Sequence, residues 1–513
     1  MGIRRSFLEL YKPITSLFLS AKDDFFKSNS YYFYDFNGRL VYQPTATTSF
    51  SLNWYVGKDH FKMVNHKINY STATDFGNDA VSFVWNQSLT RRMKLAWDVG
   101  YTQAWAGFSG MVIDNNIGFN SNHLKLYTGI QLSGEHNRHS WSVGSKISRY
   151  STLPQEMLLV VESDTSNFYN KFENAQVELF LEDSYKLNDK LILYGGLRTH
   201  YYKTLGPNDF IGSNESNNSI KNGESSKGNF YFSPSISMQY LMENKDQLKW
   251  AWSRNVQMIH VASLSSMPLP NDMWMMATPQ LKPQTGHQFS IGYYKQLEEY
   301  SFSSELFAKS LSNQTVFNID LEGNEINFED NFFVGEGRVF GLELTGQKEI
   351  GAVKGEVNYT LMRSERSFPE IYEGVWYPDK FDRTHDVSLT TQWGINERWD
   401  LSAFFVYATG NNMTLPSGRM WLMGTVMNDY DGYNNFRMPA YHRLDLSVNY
   451  HLKSEFFDES VLNFSVVNLY NRANPYFLYF KVYQGNSRYD LDVQAAQVSL
   501  FPIMPSISWR FKF

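Results

Sequence analysis

The sequence predicts an all-β chain that crosses a membrane as an antiparallel barrel, and three observations predict it. Apolar and polar residues alternate along most of its 513 residues, the period of two that sends neighbouring side chains to opposite faces of a strand. The connections between these segments are alternately short and long. Aromatic residues are abundant, at 17% with 39 Phe, 33 Tyr and 13 Trp. Yet a spanning helix needs about 20 consecutive apolar residues, and AFFVYA (Ala403–Ala408), the longest uninterrupted run, is roughly a third of that.

Taken along the chain, the elements follow from this alternation. The first twenty residues, MGIRRSFLELYKPITSLFLS, lack the apolar core and small-residue site of a secretory signal. Gly2 with Ser6 and the Arg4-Arg5 pair fit short acylation and twin-arginine patterns, which are read as chance matches. Leu95, Trp97, Val99 and Tyr101 alternate with Lys94, Ala96, Asp98 and Gly100. Val387, Leu389, Thr391 and Trp393 alternate with Asp386, Ser388, Thr390 and Gln392, and Leu444, Leu446, Val448 and Tyr450 with Arg443, Asp445, Ser447 and Asn449. The last segment sets Ile507, Trp509, Phe511 and Phe513 against Ser506, Ser508, Arg510 and Lys512. About nineteen such segments are found, against about five or six strands in an average sheet.

Short polar turns are expected near Arg91-Arg92, Glu135–Arg138, Asn188-Asp189, Asn244–Asp246, Glu298-Glu299, Ile350-Gly351 and Asn396-Glu397. Long connections are expected near 60–77, 109–120, 151–173, 204–227, 263–284, 313–336, 366–384, 411–438 and 472–497. A soluble sandwich has no reason to collect its long loops at one end. An outer-membrane barrel does, with short periplasmic turns, long extracellular loops and an aromatic-rimmed apolar outer face. A propeller would repeat a signature at a fixed period, and none is found. Closure is required, because a strand edge open to lipid leaves backbone groups unsatisfied at several kcal/mol each.

Composition excludes other classes. Lys plus Arg (46) fall below Asp plus Glu (52), with no basic stripe for nucleic acid. Zero cysteine removes disulfides, thiolate metal sites and cysteine nucleophiles together. No phosphate-binding loop, nucleophile elbow or zinc-protease motif occurs, so no catalytic residue, resident metal or cofactor is expected. His136-x-x-His139, Asp59-His60 and His385-Asp386 read as solvated turn and loop-end residues. Asp382, Arg383 and His385 sit at a loop-to-strand junction, where they are expected to anchor the loop. Glu178, Glu182, Glu305 and Glu343 fall on inward positions and read as water-lining groups of the lumen.

Recognition groups are expected in the long loops: Trp274 among Met273, Met275 and Met276; Trp376 and Tyr377 near Tyr372; and Arg419, Trp421, Tyr430 and Tyr433. Clustered Trp, Tyr and Arg are what binding hot spots favour. Each of these aromatics could equally pack the loops against one another. The tract GSNESNNSIKNGESSKG in 204–227 reads as a polar low-complexity loop.

Several motifs together resemble the TonB-dependent receptors of the bacterial outer membrane, in particular the Bacteroidota type with a carboxypeptidase-regulatory-like domain. They include YYFYDFNGRLVYQP (Tyr31–Pro44), LEDSYKLNDKLILYGGLR (Leu181–Arg198), LPNDMW (Leu269–Trp274) leading into LKPQTGHQFSIGYY (Leu281–Tyr294), and GRVFGLEL (Gly337–Leu344). Further on come NYTLMRSER (Asn358–Arg366), FDRTHDVSL (Phe381–Leu389), FFVYATG (Phe404–Gly410), HRLDLSVNY (His442–Tyr450), VVNLYNRANPYF (Val466–Phe477) and SLFPIMPSISWRFKF (Ser499–Phe513).

The resemblance implies a plugged barrel of about 22 strands that binds and imports a scarce nutrient of the siderophore, haem, glycan or peptide class. Outer-membrane lipid, the barrel assembly machinery and the TonB system are the implied partners. Trp509, Phe511 and Phe513 resemble the C-terminal strand signal read by that machinery. With about nineteen segments of the family's 22, residues 1–30 are expected to be the remnant of an earlier strand plus an extracellular loop, and 31–513 the barrel. The plug, the TonB-contacting segment and about three strands are expected to lie outside this chain, with a gap or strained seam near residue 31. A plugless passive pore or a non-transporting remnant is the alternative reading.

Overall fold

The computed structural model describes residues 2–6, 30–65, 70–112, 115–161, 164–169, 171–211, 217–262, 273–317, 332–416, 418–422, 425–429, 432–453, 455–484, 491–499 and 502–512. The chain is an antiparallel meander. Its strands are β1 (Gly2–Arg5), β2 (Ser30–Thr45), β3 (Thr48–Asn65), β4 (Tyr70–Ser88), β5 (Met93–Val112), β6 (Asn115–His136), β7 (His139–Val161), β8 (Phe172–Lys186), β9 (Leu191–Leu205) and β10 (Asn229–Leu241). They continue as β11 (Gln247–Gln257), β12 (Gln284–Gln296), β13 (Tyr300–Phe317), β14 (Phe332–Lys348), β15 (Val353–Ser367), β16 (His385–Asn396), β17 (Trp399–Ala408), β18 (Tyr441–His451), β19 (Glu459–Val467) and β20 (Met504–Lys512). Each pairs antiparallel with the next, from β1 on β2 to β19 on β20. The strands from β2 onward agree with the alternation in the sequence, and so does the all-β class.

Among the described residues β20 pairs only with β19, and β1 covers the other edge of β2 only from Tyr34 to Asn37. No pairing joins Tyr31–Gln43 to Ser499–Lys512 among the described residues. The Arg4 guanidinium meets the buried Asp35 carboxylate at 2.9 Å, which ties β1 to β2.

The short connections fall where the sequence puts them, at 89–92, 137–138, 187–190, 242–246, 297–299, 349–352 and 397–398, with two further ones at 46–47 and 452–458. Three expected long loops are corrected. Residues 60–77, 109–120 and 151–173 are mostly strand, with β3–β4 pairing out to Asn65–Tyr70, β5–β6 to Val112–Asn115, and the end of β7 paired with Asp164–Tyr169. The reason is length. A membrane strand needs about 9–11 residues, whereas β7 has 23. Beyond the bilayer both faces of a hairpin are wet, so side-chain alternation ends while the backbone ladder continues.

The faces sort as alternation requires. Leu126, Ile130, Ile147, Leu179 and Leu181 are exposed on the outer face, while the inner face carries polar ladders such as Asn53 to Ser82 and Thr345 to Asn358. Buried hydrophobic clusters form where the long connections fold back. Among the described residues no helix is long and apolar enough to cross a membrane.

Candidate functional site

After β11 the chain bends at Met258 and forms a hairpin in which Ile259–Ala262 pairs with Met273–Met276. This hairpin touches β6, β7 and β8 on one side and β13 on the other, so it lies across the inner wall. Its sequence explains its seat. Met side chains are unbranched and fill irregular gaps. Met275 packs with Phe172, Leu281 and Phe332, and Met276 and Ala277 pack with Tyr150, Tyr202 and Met258. Polar ties fix the register: the Tyr202 hydroxyl donates to the Ala277 carbonyl at 2.7 Å, and the Ala277 amide donates to Met258 at 2.7 Å.

His260, on the same hairpin, is fully buried. Its Nδ1 lies 3.2 Å from Gln284 Nε2 and 3.4 Å from Thr315 Oγ1, and its Nε2 has no hydrogen-bond partner. Burial pulls the imidazole down to about 4, partly opposed by a backbone hydrogen bond at Lys282. Trp274 is the exception on the hairpin. It is 39% exposed, and its ring stacks beside His123 with centroids 6.4 Å apart.

The wall beneath is cationic and aromatic. His123 is held by Thr152 at 2.8 Å and lies beside Tyr150. Lys125 stands 5.1 Å over the Tyr150 ring, and Lys146 4.0 Å over Tyr127, cation–π positions. Further along, Tyr150 donates to Gln176, Gln176 contacts His200, and His200 reaches both Glu178 at 3.1 Å and Ser233 at 3.1 Å. Glu178, Glu182, Arg198, His200, Ser233 and Arg254 line a cavity of about 360 Å³, within the usual range for a small-molecule site. Charges of both signs meet there, suiting a polar ligand.

A second folded loop follows β15. Phe368, Ile371 and Tyr377 form its buried core, with Phe333 and Tyr433 packed against them. The buried Glu365 carboxylate accepts from Arg338 at 2.7 Å and from Arg363 at 2.8 Å. Arg338 also lies 4.2 Å over the Trp376 ring, and Arg366 pairs with Asp379 at 3.1 Å. Asp382 accepts the Ser364 amide at 2.7 Å and the Arg437 guanidinium. Arg437 in turn donates to the Asp382 and Gly410 carbonyls, so one arginine ties three chain segments.

The recognition residues named from sequence are thus distributed. Trp274 lies on the inner-wall hairpin, while Trp376 and Tyr377 belong to the second loop and Tyr433 packs against it from the connection after β17; Tyr377 is 6% exposed, and burial pushes its phenol up. Tyr372, beside Tyr377, donates to the Tyr433 carbonyl at 3.1 Å. Arg419 and Trp421 fall in the strand Gly418–Leu422, paired with Thr425–Asp429. Tyr430 and Phe513 lie outside the described residues. Trp509 and Phe511 are exposed on β20, with the Trp509 indole donating to Ser460 at 3.0 Å.

Sequence reading missed His123, Lys125, Tyr127, Lys146 and Tyr150. Each is an ordinary alternating strand residue, and only the hairpin folding over them marks them out. Glu178 and Glu182, placed on the lumen wall from sequence, do line the cavity. Glu305 accepts from Tyr294 at 2.8 Å and lies opposite Glu343. Among the described residues no group of three or more His, Asp or Glu side chains could hold a metal ion.

Comparison with known proteins adds an independent line. The model of the family described as TonB dependent receptor-like, beta-barrel matches residues 11–469. A search of curated proteins finds no match. Among solved structures, the siderophore receptor PiuA from Acinetobacter baumannii superposes with a TM-score of 0.66 at 11% identity, over 95% of this chain and 75% of that one. The ferripyoverdine receptor of the outer membrane of Pseudomonas aeruginosa gives 0.64 at 11% identity, over 95% and 65%. The ferric-catecholate import receptor Fiu from E. coli K12 gives 0.61 at 11% identity, over 87% and 71%. At such identities the likeness is one of fold.

Proposed function

The chain belongs to the TonB-dependent receptor-like β-barrel family, and from that premise we propose that it is the outer-membrane barrel of a receptor that binds a scarce nutrient on its long-loop side and serves its import. The observation that carries this reading is the hairpin 259–276. It brings Trp274 against His123 on the inner wall, next to Lys125 and Tyr150. An exposed indole beside rings and cations, on an element seated by buried methionines, is a contact surface that binding hot spots favour. Trp376, with Arg338 over its ring, offers a second such surface. Tyr377 and Tyr433 support it from behind, and Arg419, Trp421 and Tyr430 are proposed to complete the rim.

The ligand class stays within siderophore, haem, glycan or peptide. Structural neighbours that are a siderophore receptor, a ferripyoverdine receptor and a copper transporter favour a metal chelate as the first probe. We take the upstream carboxypeptidase-regulatory-like type, contact with the TonB system, passage through the barrel assembly machinery with Trp509 to Phe513 as its signal, and the division 1–30 and 31–513 as parts of the same proposal. The sequence motifs support them. The test is tryptophan-quenching titration of the folded barrel with a panel of ferric siderophores, haem, oligosaccharides and short peptides. Saturable binding of one class, lost in Trp274→Ala, is expected. No saturation by any class, together with steady ion conductance in a planar bilayer, would replace the receptor reading with a passive pore.

A further inference from the structure

His136 and His139, with Glu135, line a cavity of about 700 Å³ at the short-turn end of β5 to β8. Register places this cavity on the outer surface. One lateral row runs Leu95, Leu132, Val143, Leu181, Leu197 across β5 to β9, wholly apolar as lipid contact demands. One step toward the turns, the row becomes Met93, Gly134, Trp141, Asp183, Gly195. The next step brings His136, His139 and Tyr185 side by side, and Arg92 lies in the adjoining turn.

Gly134 leaves room for the Trp141 ring, which would stand 2.8 Å from a Cβ there, and Gly195, at the far end of the row, has open space on its outer side. An aspartate therefore stands on a lipid-facing position one step from a leucine row. Its Oδ2 meets His139 Nδ1 at 2.7 Å, and its Oδ1 is buried without a hydrogen-bond partner. Arg92 makes no side-chain hydrogen bond or ion pair among the described residues.

We propose that this cavity is a binding site for the headgroup of an aminophospholipid of the membrane leaflet that meets the short turns. Arg92 and His136 supply donors for the phosphate while His139 holds Asp183 in place, and Arg is suited to the phosphate by its planar fork of donors. Asp183 takes the ammonium, satisfying the oxygen left without a partner. Trp141 covers the glycerol region, and Met93 with the Leu95–Leu197 row carries the acyl chains. A group with adjacent positive and negative charge and an apolar tail matches this order of residues. Inorganic phosphate would use the donors and leave Asp183 and the apolar row unemployed. This inference rests on the outer face of the barrel meeting lipid and is independent of import.

The test is native mass spectrometry of the full chain folded in detergent, with equimolar phosphatidylethanolamine, phosphatidylglycerol and phosphatidylcholine. Heat-modified gel mobility confirms folding of each variant. Retention of one phosphatidylethanolamine at least about fivefold over phosphatidylcholine is expected, about 1 kcal/mol by the tenfold-per-1.4 rule. Asp183→Asn should bring phosphatidylethanolamine down to the phosphatidylglycerol level, and Asp183→Glu should keep the preference. Arg92→Ala with His136→Gln should lower retention of both lipids. Equal retention of all three lipids by the wild type overturns the proposal, as does unchanged preference in folded variants. Displacement of the lipid by millimolar inorganic phosphate would also overturn it, in favour of a simple anion site. Should Asp183→Asn not fold, the wild-type competition and the Arg92 and His136 pair still decide.

Discussion

Tyr202 and Ala277 are joined by a 2.7 Å hydrogen bond from phenol to carbonyl, across 75 residues of sequence, with both residues buried. That bond fastens the strand leaving the inner-wall hairpin to β9. The remaining side-chain donor to the same carbonyl is Asn174 Nδ2 at 3.4 Å, too long to replace it. Tyr202→Phe should therefore loosen the hairpin and leave the barrel folded. A cost of about 1–3 kcal/mol is expected for a buried acceptor that loses its donor. Hydrogen exchange of the peptide covering 273–281 should quicken, and unchanged exchange there would count against this seat.

The same hairpin carries a pH dependence. His260 lies on the long connection, outside the membrane-spanning strands, and burial draws its imidazole to about 4 from an ordinary 6.5. The folded value lies below the free one, so docking is at full strength above about pH 6.5, where both states are neutral. Between 6.5 and about 4 the undocked hairpin takes up a proton first, and docking weakens by about 1.4 kcal/mol per pH unit. Exchange protection at 273–281 should fall between pH 7.5 and 5 in the wild type. In His260→Leu that fall should vanish.

Asp382 predicts a different failure. Its carboxylate is buried and accepts both the Ser364 amide and Arg437, so Asp382→Ala removes the acceptor that holds β15 against the loop before β16. Arg437 is half-buried and keeps its two carbonyl acceptors, so the cost is that of the Ser364 amide losing its acceptor, about 1–3 kcal/mol. Limited proteolysis should gain cuts within 368–384. Asp382→Asn, which keeps an acceptor oxygen for the Ser364 amide, should gain fewer.

Trp274 separates binding from scaffolding. Its neighbours Met275 and Met276 are buried while it is exposed, so Trp274→Ala should leave hydrogen exchange of the hairpin near the wild-type rate. If the receptor reading holds, the same change weakens binding of the recognised ligand by tenfold or more, the loss expected at a hot spot. An unaltered affinity would move the contact surface to Trp376 and the second loop.

How much was legible follows from which physics each feature obeys. Alternation is a local property of the pleat, so Leu95 to Tyr101 and Leu444 to Tyr450 could be assigned to strands from the residues alone. Short turns were legible for the same reason, at Arg91-Arg92 and Asn188-Asp189. The extent of β5 and β6 beyond Ser109 and before Asn120 was not, because paired strands in water on both sides lose the alternating pattern while keeping their hydrogen bonds. Trp274 could be named as an aromatic of a long loop. That it meets His123, 151 positions away, could not.

The sequence by itself determined the all-β class, the nineteen-fold alternation and the sorting of long and short connections, because lipid on one face and water on the other impose a period of two on every strand. Tertiary structure alone decided which loops fold inward, which buried methionines seat them, and which ordinary strand residues become a wall beneath them. It also decided that Arg92, His136, His139, Trp141 and Asp183 line one cavity on the outer face. Those relationships depend on register between strands far apart in the chain, and register is set by hydrogen bonds that no short stretch of sequence contains.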